Sequence, residues 1–198
     1  MSSMTLEGFS LSHAAILNGS TGAEAVNGDI YGVDDASLEP DTDSFDNEGD
    51  DTVLSRWQWL NYAEVSVRGG YIPFETLYTI YGEPISSSGT DPADWFSMEF
   101  WTDRSMNVSN KPMLVATPAK DRNGAVRTLW FVLYNCSFGP LTFEGPAYKD
   151  GLKISYAATA LMSEKDEKGQ SLGGNYKAVA RMINAPANAA WGDKPGDI

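Results

Sequence analysis

Between Val53 and Arg68 the sequence alternates with a period of two. Val53, Trp57, Trp59, Ala63, Val65 and Val67 fall on odd positions, and Arg56, Gln58, Glu64, Ser66 and Arg68 fall on even ones. Successive side chains of a strand point to opposite faces, so this spacing specifies a strand with one buried and one wet face. A helix would scatter the same apolar residues around its circumference. The run is longer than an ordinary strand of about five or six residues, so two strands with a break near Asn61 are expected. A protein with this segment must build a sheet and cover one side of it.

The flanking pattern extends that reading. Gly69-Gly70 ends the alternation, and Pro73 suits the first turn of a helix, where its missing N–H costs nothing. Glu75 complements the positive end of the helix dipole. Phe74, Leu77, Tyr78 and Tyr81 then recur at helical spacing, Gly82 stands where a left-handed cap residue belongs, and Pro84 follows. One short helix over residues 73–82 is expected, its apolar stripe packed on a sheet. Further strands are expected over Trp95–Thr102, Lys111–Lys120, Ala125–Phe138 and Gly151–Met162. Asn123-Gly124 joins the middle two as a hairpin. The second strand of that hairpin is apolar on both faces, which fits a central position. Residues 1–28 are small and polar apart from Ala14-Ala15-Ile16-Leu17, and read as an arm with little core of its own. Asp29–Leu38 reads as a first strand. Glu164–Gly174 reads as a charged loop, Tyr176–Ile183 has weak helical spacing, and Asn184–Ile198 reads as a tail lying along another surface or mobile. The organisation is thus an N-terminal arm (1–28), a β domain (29–163) and a loop with C-terminal extension (164–198). The fold class is mainly β with one helix.

Charge is segregated along the sequence. The first 55 residues contain no lysine or arginine and carry twelve carboxylates, whereas the remaining 143 hold fifteen acids and fourteen bases. Nearly all of the formal charge of −13 therefore sits in one stretch. Its densest part is Glu39–Asp51, where seven of thirteen residues are acidic, and this composition reads as a solvated loop (39–52). Such a field repels phosphates, so binding nucleic acid by counterion release is excluded as the main activity. With 42% hydrophobic residues the protein is too apolar to be disordered.

No catalytic chemistry stands out. The single histidine, His13, falls in the arm and reads as a solvated residue. The single cysteine, Cys136, follows Trp130-Phe131-Val132-Leu133-Tyr134 and reads as a core thiol, so neither a disulfide nor a cysteine metal cluster is available. Phosphate-cradling, dinucleotide and nucleophile-elbow motifs are absent from the sequence. Read as a calcium loop from Asp41, the acidic run places Phe45, Asp46 and Thr52 where a ligand, a glycine and a glutamate belong, so that motif fails. The expectation is a protein with no enzymatic activity, no metal and no cofactor. No apolar run approaches the roughly 20 residues that span a bilayer, and the N-terminus lacks the features of a signal peptide, so no membrane partner is expected.

The run from Ile30-Tyr31-Gly32-Val33-Asp34-Asp35 through Pro40-Asp41-Thr42-Asp43 and Gly49-Asp50-Asp51, then the tryptophan-bearing strand, then Val65-Ser66-Val67-Arg68-Gly69-Gly70-Tyr71-Ile72-Pro73-Phe74 to Gly82 resembles the major tail proteins of long-tailed, non-contractile bacteriophages, those of actinobacterial hosts in particular. The match covers residues 29–82, with looser agreement at the Asn123-Gly124 hairpin and Leu152–Met162. The resemblance implies the tail-tube fold, two packed β-sheets forming a sandwich or barrel with a helix at the side. It implies hexameric rings that stack into a tube conducting genome DNA into the host.

On that reading the partners are further copies of the same protein, the other tail proteins (tape measure, terminator and distal tail protein) and transient, non-specific DNA. The location is the virion tail, after assembly in the host cytoplasm. Arg56, Gln58, Glu64, Ser66 and Arg68 become candidates to face the lumen, where carboxylates beside the two arginines would be needed. Asp41, Asp43, Asp46, Glu48, Asp50 and Asp51 become candidates for a contact with the next subunit or ring. Phe74, Leu77, Tyr78 and Tyr81 become the packing face of the helix. The alternative is a β-sandwich virion protein of another kind, a capsid decoration or tail terminator protein.

Overall fold

A computed structural model of the protein describes residues 13–49, 52–71, 74–82, 86–88, 95–99, 102–103, 108–120, 123–140, 142–147, 151–174, 176–187 and 189–191. In sequence order these form β1 (His13–Leu17), β2 (Glu24–Gly49), β3 (Thr52–Tyr71), α1 (Phe74–Tyr81), β4 (Ser86–Ser88), β5 (Trp95–Ser97), β6 (Lys111–Lys120), β7 (Val126–Phe138), β8 (Thr142–Ala147), β9 (Gly151–Leu161) and β10 (Ala180–Pro186). The protein is mainly β, as the alternation requires, with α1 as the one helix of more than one turn among the described residues.

The main sheet runs β10-β7-β6-β1-β2-β3-β9-β8, with every neighbouring pair antiparallel. A further pairing of β7 with β9 matches Cys136 with Ala160, Ser137 with Thr159 and Phe138 with Ala158. That seam closes β7, β6, β1, β2, β3 and β9 into a barrel, and closure removes the strand edges along the stretches that pair on both sides. β10 and β8 splay from opposite ends of the seam, on β7 and β9 respectively. β4 and β5 form a separate two-stranded ladder.

The barrel interior is filled by Ala14, Ile16, Ile30, Ala63, Val65, Val67, Met113, Leu133, Cys136, Phe138, Ala158 and Ala160. The odd positions of β3 are thus the inward ones from Ala63 to Val67. Burial pushes the Cys136 thiol up to about 12, because an apolar surround cannot solvate a thiolate. α1 packs along β2, and Leu77, Ile80 and Tyr81 join the same interior cluster. The Tyr81 hydroxyl donates to the Gly139 carbonyl at 2.8 Å, just beyond β7. Gly82 ends the helix at φ 70°, and its N–H returns to the Tyr78 carbonyl at 2.7 Å. Of the expected helix face, Leu77 and Tyr81 are buried, but Tyr78 is 52% exposed, and Ile80 takes the inward position instead. The side chain of Phe74 lies outside the described residues.

A second apolar cluster covers the outer side of β6 and β7. It comprises Leu17, Leu114, Ala116, Trp130, Val132, Tyr134, Ala185 and Trp191. One irregularity lets β7 serve both clusters. Lys111 lies opposite Cys136 but Met113 lies opposite Leu133, so β7 takes one more residue than β6 over the same span. This bulge turns the even residues Trp130, Val132 and Tyr134 outward and the even residues Cys136 and Phe138 inward.

Four sequence expectations need correction. Residues 13–17 do not belong to an arm without a core. β1 sits between β2 and β6, and Ala14 to Leu17 are at most 1% exposed. Both faces of β1 are covered, so its apolar run is continuous and carries no alternation. Residues 39–49 are not a loop but the distal part of β2, paired with β3 throughout. β3 is one strand rather than two, with a bulge where the break was expected. Residues 180–186 form a strand on β7 rather than a helical segment.

Candidate assembly surface

The β2–β3 hairpin outreaches the barrel. β1 pairs with β2 only over Glu24–Ile30, and β9 pairs with β3 only over Tyr62–Gly69. From Thr42 to Gly49 and from Thr52 to Leu60 the two strands pair with each other alone among the described residues. Eight residues at strand rise make this ribbon about 25 Å long. The acidic segment is therefore a projecting two-stranded ribbon, whose tip at 50–51 lies outside the described residues.

The ribbon has a defined root. Asp41 faces Tyr62 and Thr42 faces Leu60, so Asn61 is the extra residue of a bulge. Its carboxamide nitrogen donates to Asp41 Oδ2 at 3.1 Å and to Asp43 Oδ2 at 2.9 Å. One neutral amide thus holds two like charges together at the point where the ribbon leaves the barrel. Beyond it Thr42, Asp43, Ser44 and Gln58 are exposed. The register sets Asp46 opposite Arg56 and Phe45 opposite Trp57. The side chains of Asp46, Glu48 and Arg56, and all of Asp50 and Asp51, lie outside the described residues.

The outer face of β2, β3 and β9 forms the second part of the surface. Here the register aligns Ser37, Ser66 and Ala157 in one row and Glu39, Glu64 and Thr159 in the next. All are exposed except the half-buried Thr159, and they line a shallow depression. Of the five residues expected to face a lumen, Glu64 and Ser66 lie on this face and Gln58 is exposed on the ribbon. Arg68 occupies the next position, opposite Asp35 on β2, so the register supplies an acidic neighbour for each arginine of the set. Their side chains are not among those described. Ser37, Glu39, Ala157 and Thr159 were missed as site residues. The signal for the last two was present, since they alternate with the inward Ala158 and Ala160. Glu39 opposite Glu64 is unfavourable in the isolated fold, because like charges directly across a ladder repel.

The C-terminal segment has a different character. Glu167 is fully buried and accepts a hydrogen bond from the Arg181 guanidinium of β10. Trp191 stacks edge-on against Trp130 at 5.2 Å, and its indole N–H donates to the Gly22 carbonyl at 2.8 Å. A Cβ added at Gly22 would strike Lys168 Cγ at 2.8 Å, so the turn after β1 is gripped from the C-terminal side. Burial raises the Tyr134 hydroxyl above its ordinary value, with Arg181 opposing. An exposed ion pair, Lys177 to Glu164 at 2.9 Å, lowers the Glu164 carboxyl and contributes little else. Residues 164–174 are a loop, as expected, though with Glu167 buried in it. Of the expected tail, Ala185 and Trp191 lie along the outer cluster, so that the described C-terminal residues act as a clasp over it.

Among the described residues no group of three or more His, Cys, Asp or Glu stands close enough to hold a metal ion, and no helix is long and apolar enough to cross a membrane. No protein-family model matches the sequence, and no curated protein matches it.

Proposed function

We propose that this protein is a structural virion protein, the tail tube subunit of a long-tailed bacteriophage, assembling as hexameric rings that stack into a conduit for DNA. The observation that carries the reading is the projecting acidic ribbon. A two-stranded ribbon is marginal alone in water. This one concentrates carboxylates in a protein whose fourteen bases all lie from Arg56 onward. It is built to be completed by another copy, where those bases can meet it. Each exposed ion pair contributes only ~0–1 kcal/mol, but ring symmetry repeats the contact and association buries more of it.

The outer face of β2, β3 and β9 supports the same reading. Its small and acidic residues, Ser37, Glu39, Glu64 and Ser66, would repel a passing phosphate backbone and leave a water layer between. A basic wall would bind the DNA and stall it.

Negative-stain microscopy of the purified, concentrated protein tests the proposal. Hollow tubes of uniform width are expected, and discrete oligomers that never elongate would overturn it. A lumen of net positive potential in such tubes would separately rule out the low-friction wall.

A further inference from the structure

Methionine sulfur reacts with peroxides wherever they can reach it, and this fold grades that access. Met113 is fully buried in the barrel interior, and Met98 is half-buried against the same cluster. Met162, just after β9, is 38% exposed, and Met182, on β10, is 59% exposed. We propose that Met182 is a site of oxidation by peroxides, one that marks the strand carrying the clasp without releasing it. In the step, a lone pair on Sδ attacks one oxygen of the peroxide. The O–O bond breaks as an S–O bond forms. The proton of the attacked oxygen passes to the departing one, which leaves as water or an alcohol. Sulfur is oxidised by two electrons, the peroxide is reduced by two, and the side chain becomes a sulfoxide.

Position as well as exposure singles out Met182. β10 is the last strand on its side of the sheet and pairs with β7 alone among the described residues. Along it the faces alternate. Ala180 packs against the interior cluster, Ile183 and Ala185 belong with the outer cluster, and the Arg181 guanidinium donates to Glu167. A period of two therefore puts Met182 on the face away from the clasp contacts, level with Phe131 of β7. An oxygen added there meets water. The same oxygen on Met113 would bury a polar group in an apolar cluster.

Dilute full-length protein, treated with hydrogen peroxide at neutral pH, sampled over time and mapped by peptide mass spectrometry, provides the test. Met182 should gain oxygen at least about tenfold faster than Met113, which must wait for the barrel to open, with Met162 between them. In concentrated urea the three rates should converge. The drop in thermal midpoint on treatment should agree within about 2 °C between the parent and Met182→Leu, because the added oxygen lies away from the clasp. Oxidation of Met182 that is slower than that of Met162, or no faster than that of Met113, in the folded protein would overturn the site. A drop in the parent that exceeds the variant's by more than that margin would overturn the claim that the clasp stays in place.

Discussion

The barrel and the ribbon are built from the same two strands and held by different forces. Below Asn61, β2 and β3 have further strands beside them and bury Ile30, Ala63, Val65 and Val67 in a shared interior. Above it, the same backbone ladder continues with no third strand among the described residues, and its described side chains are mostly exposed. Backbone pairing is common to both halves, so burial is what separates the body from the ribbon. The C-terminal clasp falls on the body's side of this line, since it buries Glu167, Ala185 and Trp191.

That division can be broken most directly at Trp191. Trp191→Ala removes a buried ring and its hydrogen bond to Gly22, and should cost about 3–5 kcal/mol in denaturant unfolding. A loss below about 0.5 kcal/mol, typical of a surface change, would put the clasp with the ribbon instead. Next comes alkaline pH. The Cys136 thiol ordinarily ionises near 9.0 and is pushed up to about 12 in the fold. The unfolded protein then sheds its proton first, so the stabilisation is complete below pH 9.0 and is lost on rising towards 12. Up to about 4 kcal/mol is at stake across that window. Unfolding measured against pH should show a shallower alkaline decline in Cys136→Ala than in the parent.

Glu167→Gln should cost about 2 kcal/mol, since a neutral acceptor replaces a charged one beside Arg181. Thermal melts would measure it. Asn61→Ala should lower global stability by about 1 kcal/mol at most, yet speed amide exchange over residues 42–60 selectively. Uniform exchange in that variant would mean that the root does not hold the ribbon. The smallest effect on the fold is expected for joint neutralisation of Asp41, Asp43, Glu48 and Asp50 to their amides. Monomer stability should stay within about 0.5 kcal/mol, while tube formation by microscopy fails. Normal tubes would remove the ribbon from assembly.

The sequence was most legible where one face is wet and the other dry. The alternation of 53–68, the helix ending at Gly82, the Asn123-Gly124 hairpin and the strand at 151–161 all follow from that contrast. β1 escaped because four successive residues, Ala14 to Leu17, are buried whichever face they point to and so show no period. The acidic half of β2 escaped because ladder hydrogen bonds belong to the backbone, and a charged composition reads as a loop when the pairing strand is unknown. Glu167 gave no local signal, since its burial depends on Arg181, fourteen residues later. The candidate assembly surface was half visible. The acids and the polar positions of β3 could be named, but their partners on β9 could be found only once the register of three strands was known.

The extra residue in β7 has one more consequence. Because a single strand changes face partway along, the interior cluster and the outer cluster share one backbone and cannot be dismantled separately. Freeing Trp130 and Val132 pulls on the segment that seats Cys136 and Phe138 against β9. Two cores laid on one stave should melt as one cooperative unit, so detaching the C-terminal clasp is coupled to opening the seam that keeps the barrel closed.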